Sequence, residues 1–400
     1  MQKNFLLYFL LFIIFFIPKK KNIFVFGDRD GRRFCDNSRY LFFYLRQNNK
    51  RNRYIWITKD ISIVKQLNDD GYESYYYNSF KGIYFCLFAY WHIYNYSEND
   101  IHPILTKFSN NINLWHGALL KKITKFNNSF FINFFSSIYL FLSNFFYKKY
   151  FFYPNYKYLD TLIRHFPKKY YIFLRSNFPR NIVLKKQHKN IDFYSTAIEK
   201  LFITQIKKKN VLGYFPTWRR DGIELFKNEN NDRQLFNLNN ILERNNAILL
   251  YKRHMNSDPK DMNRHYNVKI EKIENKLSKF KNFIALDYRI DLNSVISSCD
   301  LLVSDYSGVI FDYLFLNRPI VFYTPDHTEF DKIQGTLFNY NDIEIGHQVF
   351  NLRQLAKCLS IYFKNKKNFS EIYKKNRQVT LNNFFETKDC FKNILKVLKN

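Results

Sequence analysis

Short apolar runs alternate with segments of helical spacing along most of the chain. Asn22 to Phe26, Arg53 to Thr58, Ser74 to Tyr77, His92 to Tyr96 and Ile112 to Trp115 read as strands, with helices near 37–47, 61–68 and 80–90 between them. A second alternation starts at Val211 to Phe215. It continues through a helix near 238–244, strands Ala247 to Tyr251 and Phe283 to Leu286, and a helix over 292–297. Next, Leu301 to Val303 form a strand ending at Ser304-Asp305, a turn Asp305-Tyr306-Ser307-Gly308 opens a helix, and Ile320 to Tyr323 make another strand. Helices over 352–363 and from Glu371 onward close the chain. Strands alternating with helices predict parallel sheets covered on both faces.

The expected fold is α/β, built from two Rossmann-like domains facing a cleft. The first spans 22–181, a polar and lysine-rich connection spans 182–209, the second spans 210–375, and a closing helix occupies 376–400. No repeat of fixed period is present.

Two apolar stretches stand outside this alternation. Phe5 to Ile17 is continuously apolar and is followed by Pro18 and Lys19-Lys20-Lys21. As a helix it would span only ~20 Å against a hydrocarbon core of ~30 Å, and it has no small-residue cleavage site of a secretory signal. Residues 1–21 are therefore expected to be an interfacial anchor, with the lysines at anionic headgroups. Residues 130–152 are rich in Phe and contain Lys148-Lys149. A buried core helix would carry the same pattern, but aromatic residues all round it favour a membrane-docking helix.

Composition adds a charge constraint. The chain of 400 residues carries 63 Lys+Arg against 34 Asp+Glu, a formal net charge of +29. Such an excess suits an anionic partner: lipid, nucleic acid or a phosphate-rich polymer. The basic residues are scattered rather than striped and no nucleic-acid module is present, so nucleic acid is not an expected partner. Five cysteines without a C-x-x-C pair argue against a zinc site or a disulfide framework. No carboxylate cluster surrounds the motifs, so no metal site is expected either.

Four short motifs sit where strands end. At 304–308 the hydroxyls of Ser304 and Ser307, the carboxylate of Asp305 and the small Gly308 meet a helix start, a place suited to phosphate because free N–H groups and the helix dipole attract an anion. An ordinary N-cap has the same residues. Trp115-His116-Gly117 ends a strand, and a histidine of ordinary pKa ~6.5 there can take a proton from an attacking hydroxyl at neutral pH. A surface or capping histidine reads identically. Lys252-Arg253-His254 follows another strand, and its cationic groups could hold a diphosphate. Phe215-Pro216-Thr217-Trp218-Arg219 offers Thr217 and Arg219 as further donors.

The segment SDYSGVIFDYLFLNRPIVFYTPD (304–326) resembles the signature of the CDP-glycerol glycerophosphotransferases, the teichoic-acid primase and polymerase family. NLWHGALLKKI, FPTWR and Lys252 with His254 are similar to other motifs of that family, with Met255 where proline is usual. DNSRYLFFYL (36–45), FPRN (178–181) and GTLFNYND (335–342) match in order, and Asp389-Cys390 replaces an expected aspartate-glycine. The resemblance implies a glycosyltransferase-B-type fold. It also implies transfer of glycerol phosphate or ribitol phosphate from a CDP-polyol to a hydroxyl of a lipid-linked glycan or growing teichoic-acid or capsule-type polymer, with release of CMP. His116 would be the base and His254 a second catalytic histidine. Lys252, Arg219, Thr217, Ser304, Asp305, Ser307 and Gly308 would bind the CDP-polyol phosphates. No tightly bound cofactor is expected, and the enzyme would work as a peripheral protein at the cytoplasmic face of the plasma membrane. The alternative is a sugar transferase of similar fold using a nucleotide-sugar donor.

Overall fold

The computed structural model describes residues 13–118, 143–155, 159–166, 168–186, 195–217, 232–252, 277–287, 289–333, 344–386 and 389–399. These form two units. The first takes in the described residues up to Gly117, those between 143 and 196, and those from Phe385 onward; the second runs from Ala197 to Phe384.

The first unit is built on seven strands: β1 (Lys20–Phe26), β2 (Arg53–Thr58), β3 (Ser74–Tyr76), β4 (Ala89–Tyr94), β5 (Asn110–Asn113), β6 (Lys149–Tyr153) and β7 (Ile172–Arg175). They pair in the order β3-β2-β1-β4-β5-β6-β7, every pair parallel. Alternate residues serve two cores. Phe24, Phe26, Tyr54 and Trp56 face one apolar cluster, while Ile23, Val25, Ile55 and Ile57 face the other. Both faces of a parallel sheet are covered, so its strands read as continuous apolar runs. Much of the aromatic content lies here: Phe34 meets Trp56 edge-on at 4.6 Å, and Phe26 and Phe42 are T-shaped at 5.4 Å.

Four expectations change in this unit. Residues 149–152, expected to end a docking helix, belong to the wholly buried strand Lys149–Tyr153. An unbroken run such as KYFFY has no period to separate helix from strand, and aromatic residues favour a sheet when neighbours pair with them. Residues 182–186, expected to begin the interdomain connection, belong to the helix Pro179–Lys186, which packs on the helix Asp36–Asn48 within this unit. Lys19 does not face outward: its ammonium donates to the Leu87 carbonyl at 2.5 Å, and burial lowers its pKa to about 8. Last, the helix Cys390–Lys399 belongs to this unit, with Cys390, Phe391, Ile394 and Val397 in the same core as Phe24 and Phe26. Tyr44 stacks on Phe391 at 3.9 Å.

The second unit holds β8 (Asn210–Tyr214), β9 (Ala247–Tyr251), β10 (Phe283–Ala285), β11 (Leu301–Ser304), β12 (Ile320–Tyr323) and β13 (His347–Val349). The order is β10-β9-β8-β11-β12-β13, again all parallel. Helices Asp232–Arg244 and Leu352–Lys364 cover one face through Leu235, Leu238, Leu242, Leu355 and Leu359. The helix Lys374–Phe384 closes this unit rather than running on to the chain end. Its buried Arg377 donates to Asn317 Oδ1 at 3.0 Å and to the Ser370 carbonyl at 2.6 Å. Asn317 takes the left-handed conformation (φ +48°) that ends the preceding turn before Pro319.

No described helix is long and apolar enough to cross a membrane. The anchor assigned to 1–21 and the docking helix assigned to 130–152 fall largely outside the described residues.

Candidate active site

In an open parallel sheet, ligands collect where strand order reverses, beyond the carboxyl ends of the strands. The first unit reverses between β1 and β4. There the chain supplies its own anions. Asp28, fully buried, accepts hydrogen bonds from the Arg29 N–H (2.8 Å), Asn95 Nδ2 (2.9 Å) and Cys35 Sγ (2.8 Å). Asp100 accepts from the N–H groups of Asp30 (2.8 Å), Asn95 (3.1 Å) and Tyr96 (2.7 Å). A side chain at Gly27 would collide with the Asp100 backbone, so glycine is required where β1 leaves the sheet. Burial, and then the nearby carboxylates of Asp36 and Asp100, hold the Asp28 pKa well above the usual range. Burial likewise lifts Asp100 to about 7, against its backbone donors and Arg29.

His116 lies one strand further along, after β5. Its ring stacks on Tyr96 with centroids 4.0 Å apart and planes 12° from parallel. The Arg29 guanidinium sits 4.2 Å from the centre of the Tyr96 ring. Trp115 has φ +58° and Gly117 has φ +138°, so the chain turns sharply on both sides of the histidine. The Trp115 carbonyl accepts from Asn37 Nδ2 at 2.7 Å, and the His116 carbonyl accepts from Arg180 Nη1 at 2.9 Å. The same Nη1 lies 2.6 Å from Asp36 Oδ1. The segments DNSR and FPRN, far apart in sequence, thus both close on the histidine loop. Asp36, Asn37, Tyr96 and Arg180 are the residues that reading the strand ends alone passes over, and the two matching segments were the only signal for three of them.

The second unit reverses between β8 and β11, and Thr217 and Asp305 leave those two strands. Asp305, fully buried, accepts the Thr217 N–H with both carboxylate oxygens, at 2.9 and 3.0 Å. The carboxylate of Asp305 thereby ties the loop after β8 to the loop after β11. Ser304, also fully buried, directs its hydroxyl to the Phe215 carbonyl at 3.4 Å. Ser307 and Gly308 are partly exposed at the start of the helix Val309–Tyr313, whose five residues continue as a 3-10 turn over Leu314–Leu316. Lys252 follows β9, and its ammonium reaches the Ile290 carbonyl. Arg219 and His254 lie outside the described residues, as does the segment 335–342. Among the described residues, no group of three His, Cys, Asp or Glu side chains is placed to hold a metal ion.

Two parallel sheets, each presenting polar loops where its strand order reverses, define a protein of two doubly wound α/β units. The chain belongs to the CDP-glycerol:poly(glycerophosphate) glycerophosphotransferase family, whose model matches residues 9–395. It is a transferase of polyol phosphate from a CDP-polyol. It is 26% identical over 385 residues to the teichoic acid poly(glycerol phosphate) polymerase of Bacillus spizizenii, covering 88% of this chain and 89% of that one. The polymerase of the same name from Bacillus subtilis is 26% identical over 344 residues, and there the match spans 81% of this chain but only 42% of the relative. Among solved structures, the wall teichoic acid polymerase TagF superposes with a TM-score of 0.69 at 21% identity, covering 95% of this chain and 89% of that one. That likeness concerns the fold.

Proposed function

We propose that this chain moves glycerol phosphate or ribitol phosphate from its CDP-polyol onto a hydroxyl of a lipid-linked glycan or a growing teichoic-acid or capsule-type polymer. The acceptor oxygen attacks the β-phosphorus, the bond to the CMP oxygen breaks, and CMP leaves. His116 takes the acceptor proton. Ser307, Gly308, Thr217 and Lys252 hold the donor diphosphate, and Arg219 and His254 extend those loops in sequence. Ser304 and Asp305 shape the loops from beneath. The observation that carries this reading is the family match across 9–395 together with a histidine held by three side chains at the end of β5.

The same proposal places the enzyme peripherally on the cytoplasmic face of the plasma membrane. Ile13, Phe16, Phe145 and Phe146 are exposed, and Phe15 packs edge-on against Phe146 at 4.8 Å. The borders of the two apolar stretches therefore meet in one aromatic patch. Exposed aromatic clusters of this kind suit a lipid interface.

Nucleotide release tests the reaction. Detergent-solubilised protein is offered CDP-glycerol, CDP-ribitol and a panel of UDP-sugars with a lipid-linked acceptor extract. CMP from one CDP-polyol, lost in His116→Ala, is the expected result. UDP or UMP from a sugar donor would overturn it in favour of a sugar transferase.

A further inference from the structure

We infer that Arg180, with Asp36 and Asn37, positions His116 for proton transfer, acting through the backbone on either side of it. The inference rests on the reading of His116 as the base. Trp115 is held at φ +58°, a region that non-glycine residues rarely enter and that persists only where surrounding contacts enforce it. Those contacts are present. Successive carbonyls, of Trp115 and His116, are each taken by a side chain from a different segment: Asn37 Nδ2 at 2.7 Å and Arg180 Nη1 at 2.9 Å.

The two clamps are themselves joined. Arg180 Nη1 pairs with Asp36 Oδ1 at 2.6 Å, and the Arg180 N–H donates to Asn37 Oδ1 at 3.3 Å. Arg180 and Asp36 are both buried, so the pair is little screened by water. Its other guanidinium nitrogen closes on Gly117, where a Cβ would come within 2.5 Å of Nη2. With residues 115 to 117 so pinned, the imidazole lies flat on Tyr96.

A proton transfer needs the base within hydrogen-bond reach of the hydroxyl, and displacement by ~1 Å costs ~10²-fold in rate. Lysine cannot replace arginine here. The planar guanidinium serves the carboxylate and the carbonyl from Nη1 while Nη2 lies against Gly117, and a tetrahedral ammonium on a flexible stem does not keep that arrangement. None of these three residues needs to touch substrate for this effect, so the donor KM is expected to stay where it is while kcat falls.

The test uses the full-length protein labelled with 13Cε1-histidine. Of its nine histidines, His116 is the one whose cross-peak disappears in His116→Ala. Stacking on Tyr96 places that peak upfield of an exposed histidine. Arg180→Lys is expected to return it toward the exposed position and to lower kcat ~10²-fold, with an unchanged KM for CDP-glycerol. An unmoved His116 peak in folded Arg180→Lys protein overturns the inference, whatever happens to the rate. Should that variant fail to fold, Asp36→Asn removes the charge that orients the guanidinium and keeps the shape, and the same shift and kcat loss are expected from it. If His116→Ala itself keeps full activity, the base assignment falls, while the peak position still decides whether Arg180 holds the ring.

Discussion

The imidazole of His116 lies flat on the phenol ring of Tyr96, 4.0 Å between centroids, although 19 residues and the whole of β5 separate them in the chain. Tyr96 follows β4 and His116 follows β5, and these strands are neighbours in register from Trp91 and Asn110 to Tyr94 and Asn113. The pairing of two strands therefore decides where the ring of the candidate base rests. Tyr96→Leu is expected to lower kcat ~10-fold or more by freeing the ring, whereas Tyr96→Phe, which keeps the stacked face, is expected to stay near wild type. Initial rates of CMP release with both variants check this.

Gly117→Ala is expected to be damaging on two counts. The backbone there has φ +138°, and the new methyl would enter the space of the Arg180 guanidinium. A cost of ~1–3 kcal/mol is expected from the backbone alone, together with a fall in activity. Thermal denaturation and CMP release, measured side by side, separate the two effects.

Asp305→Ala would leave the buried Thr217 N–H without its acceptor, a loss of ~1–3 kcal/mol. Since Thr217 and Ser307 are assigned to the donor diphosphate, the KM for CDP-glycerol is expected to rise. His116→Ala should leave that KM alone. Steady-state kinetics on the two variants will show whether the effects divide in this way.

Stability should fall as the pH rises from about 4 toward 7. Asp28 and Asp100 both have folded pKa values above the ~3.9 of an unfolded aspartate, Asp100 at about 7. Between those values the unfolded chain has already released protons that the folded chain still holds, so raising the pH favours unfolding. Above about 7, the contribution of Asp100 levels off. Asp28→Asn should flatten this limb, and urea denaturation at several pH values between 4 and 8 would show it; an unchanged slope would remove Asp28 from the account.

Phe145→Ser combined with Phe146→Ser removes two of the exposed rings without touching either core. Flotation with vesicles containing anionic lipid is expected to recover less of the variant than of the wild type. Equal recovery would leave the aromatic patch without a role at the membrane.

Local pattern made the strands legible wherever an apolar run was short and bounded. Arg53–Thr58, Ala247–Tyr251 and Ile320–Tyr323 appear in the structure with the bounds that the pattern predicts. It failed at Lys149–Tyr153, where a long aromatic stretch carries no period and only pairing with β5 and β7 selects the strand. The site divides in the same way. His116, Thr217 and the 304–308 turn were visible because each follows a strand. Asp36, Asn37 and Arg180 were visible only as members of matching segments, with nothing to link them to the histidine.

By itself the sequence determined that this is an α/β chain of two parallel-sheet units and which strand ends carry hydroxyl, imidazole and cationic groups. Both follow from apolar periodicity and residue chemistry, which are local. Tertiary structure alone decided the partners of those groups: that Arg180 meets Asp36 and the His116 carbonyl, that Asp305 accepts from the Thr217 N–H, that Lys19 turns inward, and that the last helix returns to the first unit. Each of these depends on which strands lie side by side and which helices cover them, and burial then makes an unpaired polar group too costly to leave without its partner.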